Sequence, residues 1–139
     1  ANDNLQTNST NPEQGLRCFY VNAGSLRSKM VELESLVNTF NYDIVAISET
    51  WFNTNSYTHL NNYDLYRCDR DSRGGGVAVY TKNRIRVREC AEMKSIDTNK
   101  KTEQVWVVLV EENILFGCIY DTNKNREYTR LILRSLIKA

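Results

Sequence analysis

Residues Ile44 to Ile47 read Ile-Val-Ala-Ile, four apolar positions in a row between Asp43 and Ser48-Glu49. So short an apolar run suits a strand dry on both faces, which needs a packed layer on each side. The run ends in a carboxylate, Glu49. In open α/β layers, ligands gather at the carboxyl ends of strands. A charge placed there stays hydrated or meets a cation while the rest of its strand is dry. Glu49 is therefore the first candidate for metal chemistry.

The neighbouring pattern supplies the layers. Cys18-Phe-Tyr-Val-Asn22 reads as a strand, and Ala23-Gly24-Ser25 turns the chain, with Ser25 as the expected N-cap. Leu26, Met30, Leu33, Val37 and Phe40 then trace the stripe of an amphipathic helix of about four turns. Strand, helix, strand in this order predicts a βαβ unit with near-parallel strands. Beyond it, Asn53 to Asn62 reads as a loop and Asp64 to Cys68 as a short strand. A Gly-rich turn through Gly74-Gly-Gly76 precedes the strand Val77-Ala-Val-Tyr80. Ile85 and Val87 alternate with Arg84, Arg86 and Arg88, the pattern of a strand with one wet face. Gln104 to Val110 and Ile114 to Tyr120, joined by Glu111-Glu-Asn113, read as a hairpin. Tyr128, Leu131, Ile132, Ser135 and Leu136 predict a closing helix.

With 139 residues the chain can bury a core of its own. Residues 1–15, polar and holding the only proline, are expected to be a flexible leader, with the folded domain over 16–139. No apolar run approaches the ~18 residues of a membrane span, so no membrane association is expected. Cys18, Cys68, Cys90 and Cys118 lack C-x-x-C spacing, which argues against a zinc site and for a reduced, intracellular setting. The net charge of +1 does not by itself mark a nucleic-acid binder. The charge is nonetheless uneven, with basic stripes at Lys82 to Arg88, at Arg67, Arg70 and Arg73, and in the tail.

Asn22, Glu49 and Tyr120 each end an apolar strand in a polar group. Taken singly, each has an ordinary explanation: a solvated strand terminus, a backbone-capping amide, a common strand-end tyrosine. Together on one rim, a carboxylate, an amide and a phenol would suit magnesium, which takes one or two carboxylates and otherwise leans on water and substrate phosphate. The only histidine, His59, falls in a loop, and no serine–histidine pairing is evident.

Three segments, Phe19-Tyr-Val-Asn-Ala-Gly-Ser-Leu-Arg27, Asp43-Ile-Val-Ala-Ile-Ser-Glu-Thr-Trp51 and Gly74-Gly-Gly-Val-Ala-Val-Tyr80, resemble the first part of the endonuclease/exonuclease/phosphatase family. Their wording is most similar to the endonuclease domain of non-LTR, LINE-type retrotransposons of the jockey and CR1 kind. The resemblance implies an α/β fold, the N-terminal part of a two-sheet sandwich with a mixed sheet and outer helices. It implies a magnesium-dependent (alternatively manganese-dependent) DNA endonuclease that nicks its target to leave a 3′-OH primer, and a nuclear location. By the same resemblance, Asn22, Glu49 and Tyr120 are the catalytic residues, with Glu49 the metal ligand. Arg27, Arg70, Arg73 and Asn123 would contact DNA.

The sequence also departs from the family. Tyr120 is followed by Asp-Thr instead of proline, and neither Gly-Asp-x-Asn nor Ser-Asp-His occurs. The expectation is a domain lacking its C-terminal half and inactive alone. The alternative is a non-catalytic, domesticated remnant that binds nucleic acid or a protein partner. An incomplete sandwich would leave one sheet face open, predicting self-association or a second chain over it.

Overall fold

The stretch Cys18–Asn22 forms the first strand, β1, and Ile44–Ser48 the second, β2. They run parallel, with Cys18 opposite Ile44 and Asn22 opposite Ser48. Between them lies the helix α1, Met30–Phe40. The computed structural model describes the backbone of residues 15–96, 102–121 and 128–135, and side chains within 15–93 and 102–121. All five residues of β2 are buried, as an apolar run with cover on both faces requires.

The helix begins one turn later than the stripe predicts. Ser25 adopts φ 90° instead of capping it. The Ser25 and Leu26 N–H groups donate to the carbonyls of Glu49 and Thr50, both at 2.9 Å. Those bonds hold residues 25 and 26 alongside the exit of β2, out of reach of a helical turn. Leu26 is still buried with Leu33 and Val37, so the apolar stripe is real although its first member is not helical. Asn41, left-handed at φ 54°, closes the helix by donating its N–H to the Val37 carbonyl.

β3, Tyr63–Cys68, and β4, Val77–Lys82, complete a mixed sheet in the order β1-β2-β4-β3. A second, antiparallel sheet holds β5 (Val87–Glu89), β6 (Thr102–Leu109), β7 (Ile114–Asp121) and β8 (Tyr128–Ser135), in that order. The period-2 alternation of strands sorts the side chains. Ile44, Ala46, Val77 and Val79 of the first sheet face Val105, Val107, Leu109, Phe116 and Cys118 of the second, forming the central core. The odd and even partners Val45, Ile47, Ala78 and Tyr80 pack on the opposite face against Leu33 and Val37 of α1. On the outer face of the second sheet, Trp106 and Val108 cluster with Cys90 and Met93.

Three expectations change here. Over its described residues the closing helix is a strand: β8 pairs antiparallel with β7 from Ile114–Ser135 to Asp121–Tyr128, while Leu136 lies outside the described residues. Short apolar runs do not distinguish helix from strand by periodicity, and the open edge of β7 supplies a ladder of backbone partners that decides the matter. The inner face of the first sheet is not open to water, because the second sheet is built from the same chain and covers it. Ile85 is buried in the turn before β5 and is not part of that strand.

Burial pushes the Cys118 thiol up to about 12, and burial with the Asp43 charge pushes the Tyr63 phenol up to about 12. The folded state thus holds these protons more tightly than the unfolded chain. Their stabilisation is intact below the ordinary thiol value of 9.0 and is lost as pH rises towards about 12. Urea unfolding is expected to show a level stability below that point and a steady fall above it. Cys118→Ala lowers the plateau but makes the fall shallower; an unchanged slope would exclude this origin.

Candidate active site and an arginine-lined cavity

Because β1 and β2 are parallel, their carboxyl ends coincide. Asn22 sits opposite Ser48, and Glu49 is the next residue. Cys18 and Tyr20 pack into the inter-sheet core, so Asn22, two residues further on, shares their face. There the Tyr20 and Ser48 hydroxyls are hydrogen-bonded at 2.7 Å. Asn22 is exposed, and its Oδ1 accepts from the Gly24 N–H at 3.2 Å. Glu49 is half-buried, in a left-handed conformation at φ 53°.

Tyr120 reaches the same rim from the other sheet. It is buried and sits opposite Glu103 across β6 and β7. Glu103 Oε1 accepts from the Gly76 N–H at 3.2 Å and from Arg70 Nε at 2.8 Å. Gly76 immediately precedes Val77, the β4 partner of Ser48. A single carboxylate of the second sheet thus clasps the first sheet at the end where Asn22 and Glu49 lie, and Tyr120 is its neighbour. The three strand-end residues share one end of the sandwich.

The two most family-like motifs are also one structural unit. Thr50 N–H donates to the Gly76 carbonyl at 3.3 Å and Trp51 N–H to that of Gly75 at 2.9 Å. Gly74, Gly75 and Gly76 all have positive φ, at 95°, 57° and 88°. A Cβ on Gly76 would lie 2.6 Å from Thr50 Oγ1, and one on Gly75 would lie 2.3 Å from Glu103 Oε1. The glycines are what allow the Ser-Glu-Thr-Trp loop and the Arg70–Glu103 pair to close on the backbone.

The arginines divide. Arg67 is committed to Asp69, at 2.6 Å, and to the Asn53 carbonyl. Arg27, Arg70 and Arg73 line one cavity of about 270 Å³ together with Trp51, Phe52 and Asp71. Arg73 lies 5.5 Å over the Trp51 ring. Asn123 lies outside the described residues. The Lys82-to-Arg88 stripe starts at the opposite end of the first sheet, where Lys82 closes β4 beside Tyr63 and Arg84 pairs with Asp43, which precedes β2, and ends in β5 of the second sheet with Arg88. His59 is exposed in its loop, edge-on to Tyr57.

Among the described residues no three His, Cys, Asp or Glu side chains form a closed metal cage. Glu49 and Asn22 stand at adjacent strand ends, and a carboxylate and an amide are residue types that a hard cation keeping its waters takes. Sequence reasoning missed Glu103 and the partnership of Trp51 with the glycine loop. A charged residue at the head of the apolar run Val105 to Leu109 was the available signal for Glu103.

Among the described residues, no helix is long and apolar enough to cross a membrane. No curated protein matches the sequence. The endonuclease/exonuclease/phosphatase family model matches residues 16–130, nearly all of the sandwich just described, and the chain belongs to that family of nuclease- and phosphatase-type hydrolases, which typically depend on a divalent metal.

Proposed function

We propose that the chain carries the metal- and phosphate-holding half of a DNA endonuclease of the non-LTR retrotransposon type. What supports this reading is strand register: Asn22 and Glu49 end neighbouring strands of the first sheet, and Tyr120 lies opposite Glu103, which bonds Gly76 at that same end next to an arginine-lined cavity. Glu49 would hold magnesium, or manganese in its place. The ion's chemistry is Lewis-acid polarisation of a phosphoryl oxygen. Asn22 would orient the phosphate through its amide, and the Tyr120 phenol would hydrogen-bond a phosphoryl oxygen. Arg27, Arg70 and Arg73 would hold the strand by its backbone, which positions the DNA without reading its sequence.

In-line hydrolysis also needs a group that deprotonates or orients the attacking water. The family's Gly-Asp-x-Asn and Ser-Asp-His motifs do not occur in these 139 residues. The 139-residue chain is therefore expected to bind DNA without nicking it. The departure from the family motifs also keeps a second reading in view, a non-catalytic remnant that binds nucleic acid or a protein partner.

Supercoiled-plasmid nicking separates the two. The assay compares the 139-residue chain with the same chain extended by whatever its reading frame encodes after Ala139. The endonuclease reading expects magnesium-dependent nicks with extendable 3′-OH ends from the extended chain alone. Glu49→Ala should lower that rate by about 10²-fold or more, the scale of a lost metal contact. A Glu49-dependent cut by the 139-residue chain would overturn the expected inactivity. Metal-independent binding with no cutting by either form would favour the remnant.

A further inference from the structure

Among the described residues, two hydrogen-bond donors are buried side by side with no acceptor: Trp51 Nε1 and Arg70 Nη2. Both residues line the cavity of about 270 Å³, and they converge over Gly74. A Cβ built there would lie 3.4 Å from Arg70 Nη1 and 3.9 Å from Trp51 Nε1. Arg70 Nε is held by Glu103, which fixes the guanidinium at the wall of the cavity. Arg73, stacked over the Trp51 ring, and the exposed Arg27 complete a lining rich in donors. An indole N–H and a guanidinium can donate but never accept. Buried donors without acceptors are rare in native proteins and mark a place for a missing partner.

The charge around the cavity has the same sense. Arg27, Arg70 and Arg73 face Asp71, the acidic residue of the lining, and Glu103 offsets Arg70 from the β6 side. The balance stays positive. Glu49 does not line this cavity, although Trp51 is only two residues further along. From the orphaned donors and the positive lining, we propose that the cavity is a phosphate-oxyanion pocket separate from Glu49, with Trp51 Nε1–H and the Arg70 fork as its fixed donors. Its ligand is a backbone phosphate of a nucleic-acid strand. That source rests on the endonuclease reading, whereas the pocket's preference for a phosphate oxyanion does not.

The two tryptophans allow a direct test. Trp106 Nε1 donates to Gln104 Oε1 at 2.8 Å and is an internal reference, while Trp51 Nε1 is the probe. The ¹⁵N-labelled chain, without metal, is titrated with inorganic phosphate and, separately, with a short single-stranded oligodeoxynucleotide. The Trp51 indole signal should move saturably and the Trp106 signal should stay. Arg73→Gln should weaken binding about tenfold, as for a lost charge-assisted contact. Asp71→Asn, which removes a repulsive carboxylate, should tighten it about twofold. A stationary Trp51 signal in both titrations, or the same movement with chloride at equal ionic strength, overturns the pocket. Phosphate binding as tightly as the oligonucleotide overturns the strand as its source. A Trp51 response from a chain that never nicks, even when extended, counts against the endonuclease reading alone.

Discussion

Gly75→Ala is expected to destabilise the protein by about 3 kcal/mol, the sum of backbone strain and a disrupted, partly exposed ion pair. Gly75 sits at φ 57°, where an L side chain is strained. Its new methyl would fall 2.3 Å from Glu103 Oε1 and 2.4 Å from Arg70 Cζ. Neither neighbour can retreat without releasing the Gly76 N–H or the Arg70 Nε, which share the same carboxylate oxygen. Gly24 is the control. It has nearly the same φ, 51°, but no described residue within 4 Å of the added Cβ, so Gly24→Ala should cost only the strain, about 1 kcal/mol. Urea unfolding of the two variants separates strain from collision. Equal losses would mean that the Glu103 clasp contributes nothing. The clasp also sets the Trp51 loop through the Gly75 carbonyl, so Gly75→Ala should disturb the arginine-lined cavity as well.

Phe116→Ala should have the larger effect, a loss of about 4 kcal/mol. Phe116 is fully buried in the core between the two sheets, among Ile44, Val79 and Val107. Truncating it removes apolar burial and leaves a cavity that close-packed strands cannot collapse to fill. A loss of that size approaches the whole stability of a small domain, so Phe116→Leu is the companion variant, with an expected cost of about 1 kcal/mol. If the second sheet did not pack on the first, Phe116 would lie on an open face and both variants would be nearly neutral. The same measurement therefore tests whether the sandwich closes within this chain.

The part of the fold written in local pattern was legible. Ile44 to Ile47, the stripe Met30, Leu33 and Val37, and the strand ending at Asn22 each carry a period that local physics reads directly. Parallel pairing of the two strands then follows from the helical crossover, and with it the adjacency of Asn22 and Glu49. The start of the helix was not legible. Ser25 has the chemistry of an N-cap, but its backbone is held by the Glu49 carbonyl, a partner distant in sequence. Residues 128–135 were not legible either, because their run of apolar and charged residues fits a helix face as well as a strand until the edge of β7 is present.

By itself the sequence determined which residues are dry, which segments can pair, and which chemical groups stand at strand ends. These are properties of single residues and their near neighbours. Only the tertiary structure decided which of those ends meet. The clasp of Glu103 on Gly76, the seat of Trp51 on the glycine loop and the closure of one sheet over the other all join residues far apart in the chain. Such contacts follow from how two twisted sheets pack, which no window of local sequence encodes.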